Sequence, residues 1–139
     1  LGRGLDYVIA VEGALKSKEI SYIHSEAFAS GELKHGTIAL ITDGVPVVVN
    51  ATQSDLFEKS VSNIKEVTSR GAYVIAIAKE GNTVVEEVAD EVFYIPDVED
   101  DYAGFPTIVI HQLLAYYLSK LKGNDVDKPR NLAKSVTVE

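Results

Sequence analysis

A chain of 139 residues, 46% hydrophobic and 24% charged, is long enough to bury one core and reads as one folded domain. Its net charge of −8 argues against nucleic acid or anionic membrane as a partner, because neither attracts an acidic surface. The absence of cysteine excludes disulfides, thiolate metal sites and cysteine nucleophiles; it fits a reducing compartment, and a cytoplasmic location is expected.

No apolar run approaches the ~18 residues of a membrane span, and the start does not read as a signal peptide. There is no methionine, and the chain opens on LGRG, so a piece of a longer polypeptide is expected.

Leu1 to Gly4 read as the end of a buried strand running into a glycine turn. Residues 6–28 then predict one long helix, with Asp6 as its N-cap and no internal proline. At about 100° per residue, Glu12, Lys16, Glu19, Ile23 and Glu26 fall on one stripe. Val8, Ile9, Leu15, Ile20, Tyr22 and Ala27 flank that stripe, while Ala10, Ala14, Ser17, Lys18, Ser21 and Ser25 lie opposite. The charges therefore run down the middle of the apolar arc, which costs free energy unless they are paired or wetted by a pocket. Two readings fit. The row is either a set of ion pairs where two elements meet, or the lining of a cleft in which Glu19 is a general base tuned by Lys16.

The loop GELKHGT at 31–37 holds His35 between glycines, as a surface residue or as a group able to titrate near neutrality. Residues 38–41 are a short apolar run before a Thr42–Gly44 turn. Val45 to Ala51 predicts a buried strand, parallel because nothing alternates. A helix is expected from Ser54 to about Arg70, with Leu56, Val61, Ile64 and Val67 facing inward and Gly71 as its stop. Tyr73 to Ala78 is the next strand. Asn82 or Thr83 caps a short helix through Ala89, and Glu91 to Ile95 is a further strand. The acidic segment 97–102 reads as a solvated connector. A second long helix spans 105–121, ended by Gly123 and Asn124, with His111 as a packing residue; His24 also looks structural. The tail 125–139 is apolar enough at Leu132, Ala133, Val136 and Val138 to pack on something and to carry Lys134 into a cleft, or else to leave it a solvated charge. Strands alternating with helices predict an α/β layer sandwich with a mostly parallel sheet. The three histidines have no metal-ligand spacing, and neither a dinucleotide fingerprint nor a P-loop occurs.

The runs LGRGLDYVIAVEGALKSKEISYIHSEAFASGELKHG (1–36) and KGNDVDKPRNLAKSVTVE (122–139) closely resemble the glucosamine-6-phosphate synthase family, the glutamine–fructose-6-phosphate aminotransferases (isomerizing). Between them, 52–104 shows only the generic pattern of the sugar isomerase (SIS) fold. The resemblance is to the second SIS subdomain of the isomerase half. It implies a three-layer α/β/α sandwich over 1–123 with its first strand truncated, a C-terminal tail at 124–139, and no metal or organic cofactor.

The resemblance further implies that fructose 6-phosphate and ammonia become glucosamine 6-phosphate, with a first SIS subdomain and a glutaminase domain as partners within the parent chain. Glu19, matching the glutamate of the KxKE run, would move a proton between C1 and C2 of the imine. Glu12 and Lys16 would support it. His35, matching GELKHG, would open the sugar ring in the neighbouring subunit of a homodimer. Lys134 would close over the sugar, facing the ammonia path. The family usually has HGP where this chain has Thr37, which leaves the placing of His35 open. The phosphate-binding Ser/Thr loops are expected in the absent subdomain. The rival readings are a non-catalytic sugar-phosphate-binding SIS module and a pure assembly module.

Overall fold

The computed structural model describes residues 1–130 and 132. Lys134 lies outside the described residues, as does the rest of the tail beyond Arg130 apart from Leu132.

Leu1 and Gly2 lie along the β1 edge rather than within a strand of their own. The Leu1 nitrogen donates to Val48 O at 2.6 Å, and Asn50 N–H donates to Leu1 O at 2.9 Å. On the other side Gly2 bridges Ala29 in parallel. Gly4 then turns the chain with φ 55 into α1 (Leu5–Lys16).

Three apolar runs form β1 (Pro46–Ala51), β2 (Tyr73–Lys79) and β3 (Glu91–Ile95). They pair in the order β1-β2-β3, all parallel, with Val48 opposite Ile75 and Ala76 opposite Val92. The lack of alternation in β1 and β2 follows from burial on both faces, whereas β3 at the sheet edge exposes Glu91 and Phe93. One face puts Val47, Val49, Val74 and Ala76 against Val61, Ile64 and Val67 of α2 (Phe57–Thr68). The other puts Val48, Ile77 and Ile95 against Ala103 and against Ile110 of α3 (Gly104–Leu121), while α1 packs beside α3 and over β1. The result is three layers, helix on sheet on helix. Gly71 ends the α2 turn at φ 86, as its position after the helix predicts. Among the described residues no helix is long and apolar enough to cross a membrane.

Four expectations need correction. The long helix of 6–28 is not continuous: α1 stops at Lys16, a π-helical turn covers Ser17–Ser21, and Tyr22 leaves it in the left-handed region. The serines explain the break. Ser21 Oγ donates to Ser17 O at 2.6 Å and Ser25 Oγ to Ala14 O at 3.0 Å, so side chains replace the regular ladder.

Asp6 is not the N-cap; Gly4 is, and Asp6 is buried in the first turn. The helix expected through Ala89 is a short 3-10 turn, Thr83–Glu87. The segment 97–102 is no mere connector, because Asp100 accepts from Ser54 N–H at 2.7 Å, Ser54 Oγ at 2.8 Å and Lys79 Nζ at 2.5 Å. Lys79, buried at the end of an apolar strand, is the residue that requires such an anion.

Candidate active site

The row survives the break in the helix in part. Lys16 Nζ stands 2.7 Å from Glu19 Oε2 and 3.3 Å from Glu12 Oε1, so one ammonium bridges two carboxylates. The π turn begins one residue after Lys16 and carries Glu19, and such turns recur at functional sites because they displace a side chain from the regular helical raster. Glu19 keeps 28% of its side chain exposed, Lys16 30% and Glu12 45%. The hydrogen bond from Lys16 to Glu19 raises the lysine's pKa, so the cation persists beside the carboxylate. Glu26 and Ile23 leave the stripe: Glu26 lies beyond the turn, 3.8 Å from an exposed His24.

The apolar arc around the row faces outward. Val8, Val11 and Leu15 are exposed, whereas Asp6, Ala10 and Gly13 on the side of small residues are buried. Gly13 meets the face of His111, where a Cβ would fall 2.4 Å from Nδ1. A cavity of about 600 Å³ does exist, between α1, α3 and the Leu1 edge of β1, lined by Ala10, Gly13, Phe28, Val47, His111 and Leu118 among others. None of Glu12, Lys16, Glu19 or His35 lines it. The hollow expected around the row is thus not this cavity, because the row stands on the opposite side of α1 from the core.

His35 ends a 3-10 turn, Ser30–His35, docked onto α2 by its neighbours. Leu33 is buried, and Lys34 Nζ reaches Glu66 Oε1 at 3.6 Å. That docking turns His35 outward, 75% exposed, with Glu32 at 4.0 Å as its nearest carboxylate. Among the described residues no hydrogen bond or ion pair joins His35 to the row. Thr37 Oγ1 donates to Leu33 O at 3.4 Å, a weak tie across the Gly36 turn.

A buried polar chain beneath α1 went unseen in the sequence. Asp6 accepts from Thr52 N–H at 2.8 Å and Thr52 Oγ1 at 2.5 Å. Asn50 Nδ2 donates to Asp6 O at 3.0 Å, and Asn50 Oδ1 meets His111 Nε2 at 2.9 Å. Burial pushes the Asp6 carboxyl up and holds His111 down at about 4, so the imidazole is neutral and structural. The signal was Asn50 and Thr52 closing an otherwise apolar strand. Among the described residues no three His, Asp or Glu side chains stand close enough to hold a metal ion.

The SIS domain family matches residues 1–121. Over all 139 residues the chain is 63% identical to the glutamine–fructose-6-phosphate aminotransferase (isomerizing) of Caldanaerobacter subterraneus subsp. tengcongensis and 65% identical to that of Clostridium acetobutylicum. It spans 23% of the length of each of these relatives. A solved C-terminal domain of glucosamine-fructose-6-phosphate aminotransferase from Francisella tularensis superposes with a TM-score of 0.83 at 44% identity, covering 91% of this chain and 36% of that one. The parallel sheet between helix layers and this agreement along nearly the whole chain lead to one conclusion: the chain belongs to the SIS domain family.

Proposed function

We propose that this chain supplies the acid–base row of the sugar isomerisation in a glutamine–fructose-6-phosphate aminotransferase. The observation that carries the reading is the Lys16 ammonium bridging Glu12 and Glu19 at a π turn, on a helix face that the described residues leave partly open.

Ammonia and the C2 carbonyl of open-chain fructose 6-phosphate give an imine at C2 and one water. Glu19 removes a proton from C1, leaving an enolamine, and returns it to C2. The O1 proton passes to nitrogen as C1 becomes the aldehyde carbonyl of glucosamine 6-phosphate. No electrons leave the sugar, so one carboxylate able to take and return a proton suffices. Lys16 holds that carboxylate in place through its 2.7 Å hydrogen bond, and Glu12 shares the ammonium at 3.3 Å. His35, outward on its docked loop, opens the ring in the neighbouring subunit of a cytoplasmic homodimer, and Lys134 of the tail closes the site.

The remainder of the parent polypeptide completes the pocket. Val8, Val11, Leu15, Phe105 and Val109 are exposed apolar surface of the kind that docks another domain, here the first SIS subdomain, which also grips the phosphate. The division into a subdomain at 1–123 and a tail at 124–139 belongs to the same reading.

The decisive variant is Glu19→Gln in the full-length enzyme. Glucosamine 6-phosphate formation should fall by roughly 10² to 10⁴, with glutamine hydrolysis and unfolding temperature unchanged. Retained isomerisation would remove Glu19 from the mechanism.

A further inference from the structure

Arg3 stands just before α1, far in sequence from the turn that carries His35, yet its side chain lies on that turn. A Cβ added at Gly31 would fall 3.2 Å from Arg3 Nη1 and 3.6 Å from Cζ, so the half-buried guanidinium covers the Gly31 backbone. Glycine is what permits that approach. Arg3 Nε donates to Asn63 Oδ1 of α2 at 2.9 Å, and Asn63 is 4% exposed. Asn63 Nδ2 in turn donates to Glu66 Oε2 at 3.4 Å, and Glu66 Oε1 meets Lys34 Nζ at 3.6 Å. The run from Arg3 through Asn63 and Glu66 to Lys34 therefore starts over Gly31 and returns to the residue before His35. The same turn is tied at its first residue, where Ser30 N–H donates to Gly2 O at 2.9 Å.

These ties are unequal. The Lys34 contact is long and water-exposed, which makes it weak, and the bond from Asn63 to Glu66 is longer than a good hydrogen bond. The Arg3 bond is shorter, charge-assisted and ends on a buried amide, so it restrains the turn most. We infer, on the reading in which His35 opens the sugar ring, that Arg3 is a positioning residue for His35: it clamps the Ser30–His35 turn onto α2 and sets the direction in which the imidazole leaves this chain. Ring opening breaks the C2–O5 bond of the furanose. The imidazolium gives O5 a proton, the C2 hydroxyl gives its own to water, and C2 becomes the carbonyl. The imidazole then regains a proton from solvent. Such a transfer is sensitive to the angle at which the ring is presented.

The test uses the full-length enzyme with Arg3→Ala, Arg3→Lys, His35→Ala and the double variant Arg3→Ala with His35→Ala. Each is assayed on fructose 6-phosphate and on its 5-deoxy analogue, which lacks the hydroxyl that closes the furanose and so stays open. In Arg3→Ala, kcat on fructose 6-phosphate should fall by about tenfold, with kcat on the analogue within about twofold of the unsubstituted enzyme. Amide exchange across 31–36 should quicken by about tenfold. The double variant should be no worse than His35→Ala alone. Arg3→Lys keeps the charge but loses the planar fork; it should show the same pattern at about threefold, and it serves alone if Arg3→Ala does not fold. A general weakening of the fold would lower both substrates alike, so equal losses on the two would overturn the assignment. Unchanged exchange, or losses that multiply in the double variant, would do the same. His35→Ala fully active on fructose 6-phosphate removes the imidazole from ring opening and the role of Arg3 with it. His35→Ala impaired while Arg3→Ala is intact strikes Arg3 alone.

Discussion

Helices α1 and α2 are both twelve residues long, and they bury opposite kinds of surface. α2 puts Val61, Ile64 and Val67 into the core against the sheet. α1 buries Asp6, Ala10 and Gly13 and leaves Val8 57% exposed. The difference lies in what each helix must touch. α2 meets one sheet face and needs only apolar bulk. α1 is wedged between β1 and α3, where a histidine ring lies on Gly13, and small residues alone permit that approach. Its larger apolar residues Val8, Val11 and Leu15 then stay exposed among the described residues and frame the charged row.

If α2 is the purely structural member of the pair, Ile64→Ala should be the most damaging change. The site is fully buried, and the loss should be roughly 4 kcal/mol in urea unfolding. Asp6→Ala would probe the buried side of α1. It strands Thr52 N–H and Thr52 Oγ1, and about 3 kcal/mol of destabilisation is expected from the same unfolding curves.

The His111 contact under α1 predicts an acid response that α2 lacks. Burial holds this histidine at about 4, against the ordinary 6.5 of the unfolded chain. Between those values the unfolded chain binds a proton that the folded chain refuses, so stability declines as pH falls from 6.5 toward 4. The full span is about 3 kcal/mol, offset in part by the raised Asp6 carboxyl, and His111→Gln should flatten the profile.

Gly13→Ala sharpens the close-packing argument. Its Cβ would collide with the ring, and about 1–2 kcal/mol should be lost despite the better helix propensity of alanine. The smallest effect falls on the outward arc. Val8→Ser should shift the stability of this chain by less than about 0.5 kcal/mol. In the full-length protein it should lower the unfolding temperature more than in this chain alone if that face docks the neighbouring subdomain.

Local sequence carried much of this. Short runs rich in apolar residues gave away all three strands, and the lack of alternation over Val45 to Ala51 gave that strand's parallel sense. The spacing of Val61, Ile64 and Val67 gave the inward face of α2, and Gly71 its end. The grouping of Glu12, Lys16 and Glu19 was legible because neighbours three and four apart on a helix meet whatever surrounds them.

Other features depended on contacts distant in sequence. Which side of α1 turns inward was decided by His111 and β1, since periodicity marks a face without saying what lies against it. The halt at Tyr22 came from serines taking helix carbonyls, a competition that a wheel drawn at constant pitch leaves out. The pairing of Lys79 with Asp100 and of Tyr22 with Arg130 likewise joined residues 21 and 108 positions apart. Short-range order follows from the residues themselves, whereas the direction a helix faces is fixed only when the rest of the chain closes over one side of it.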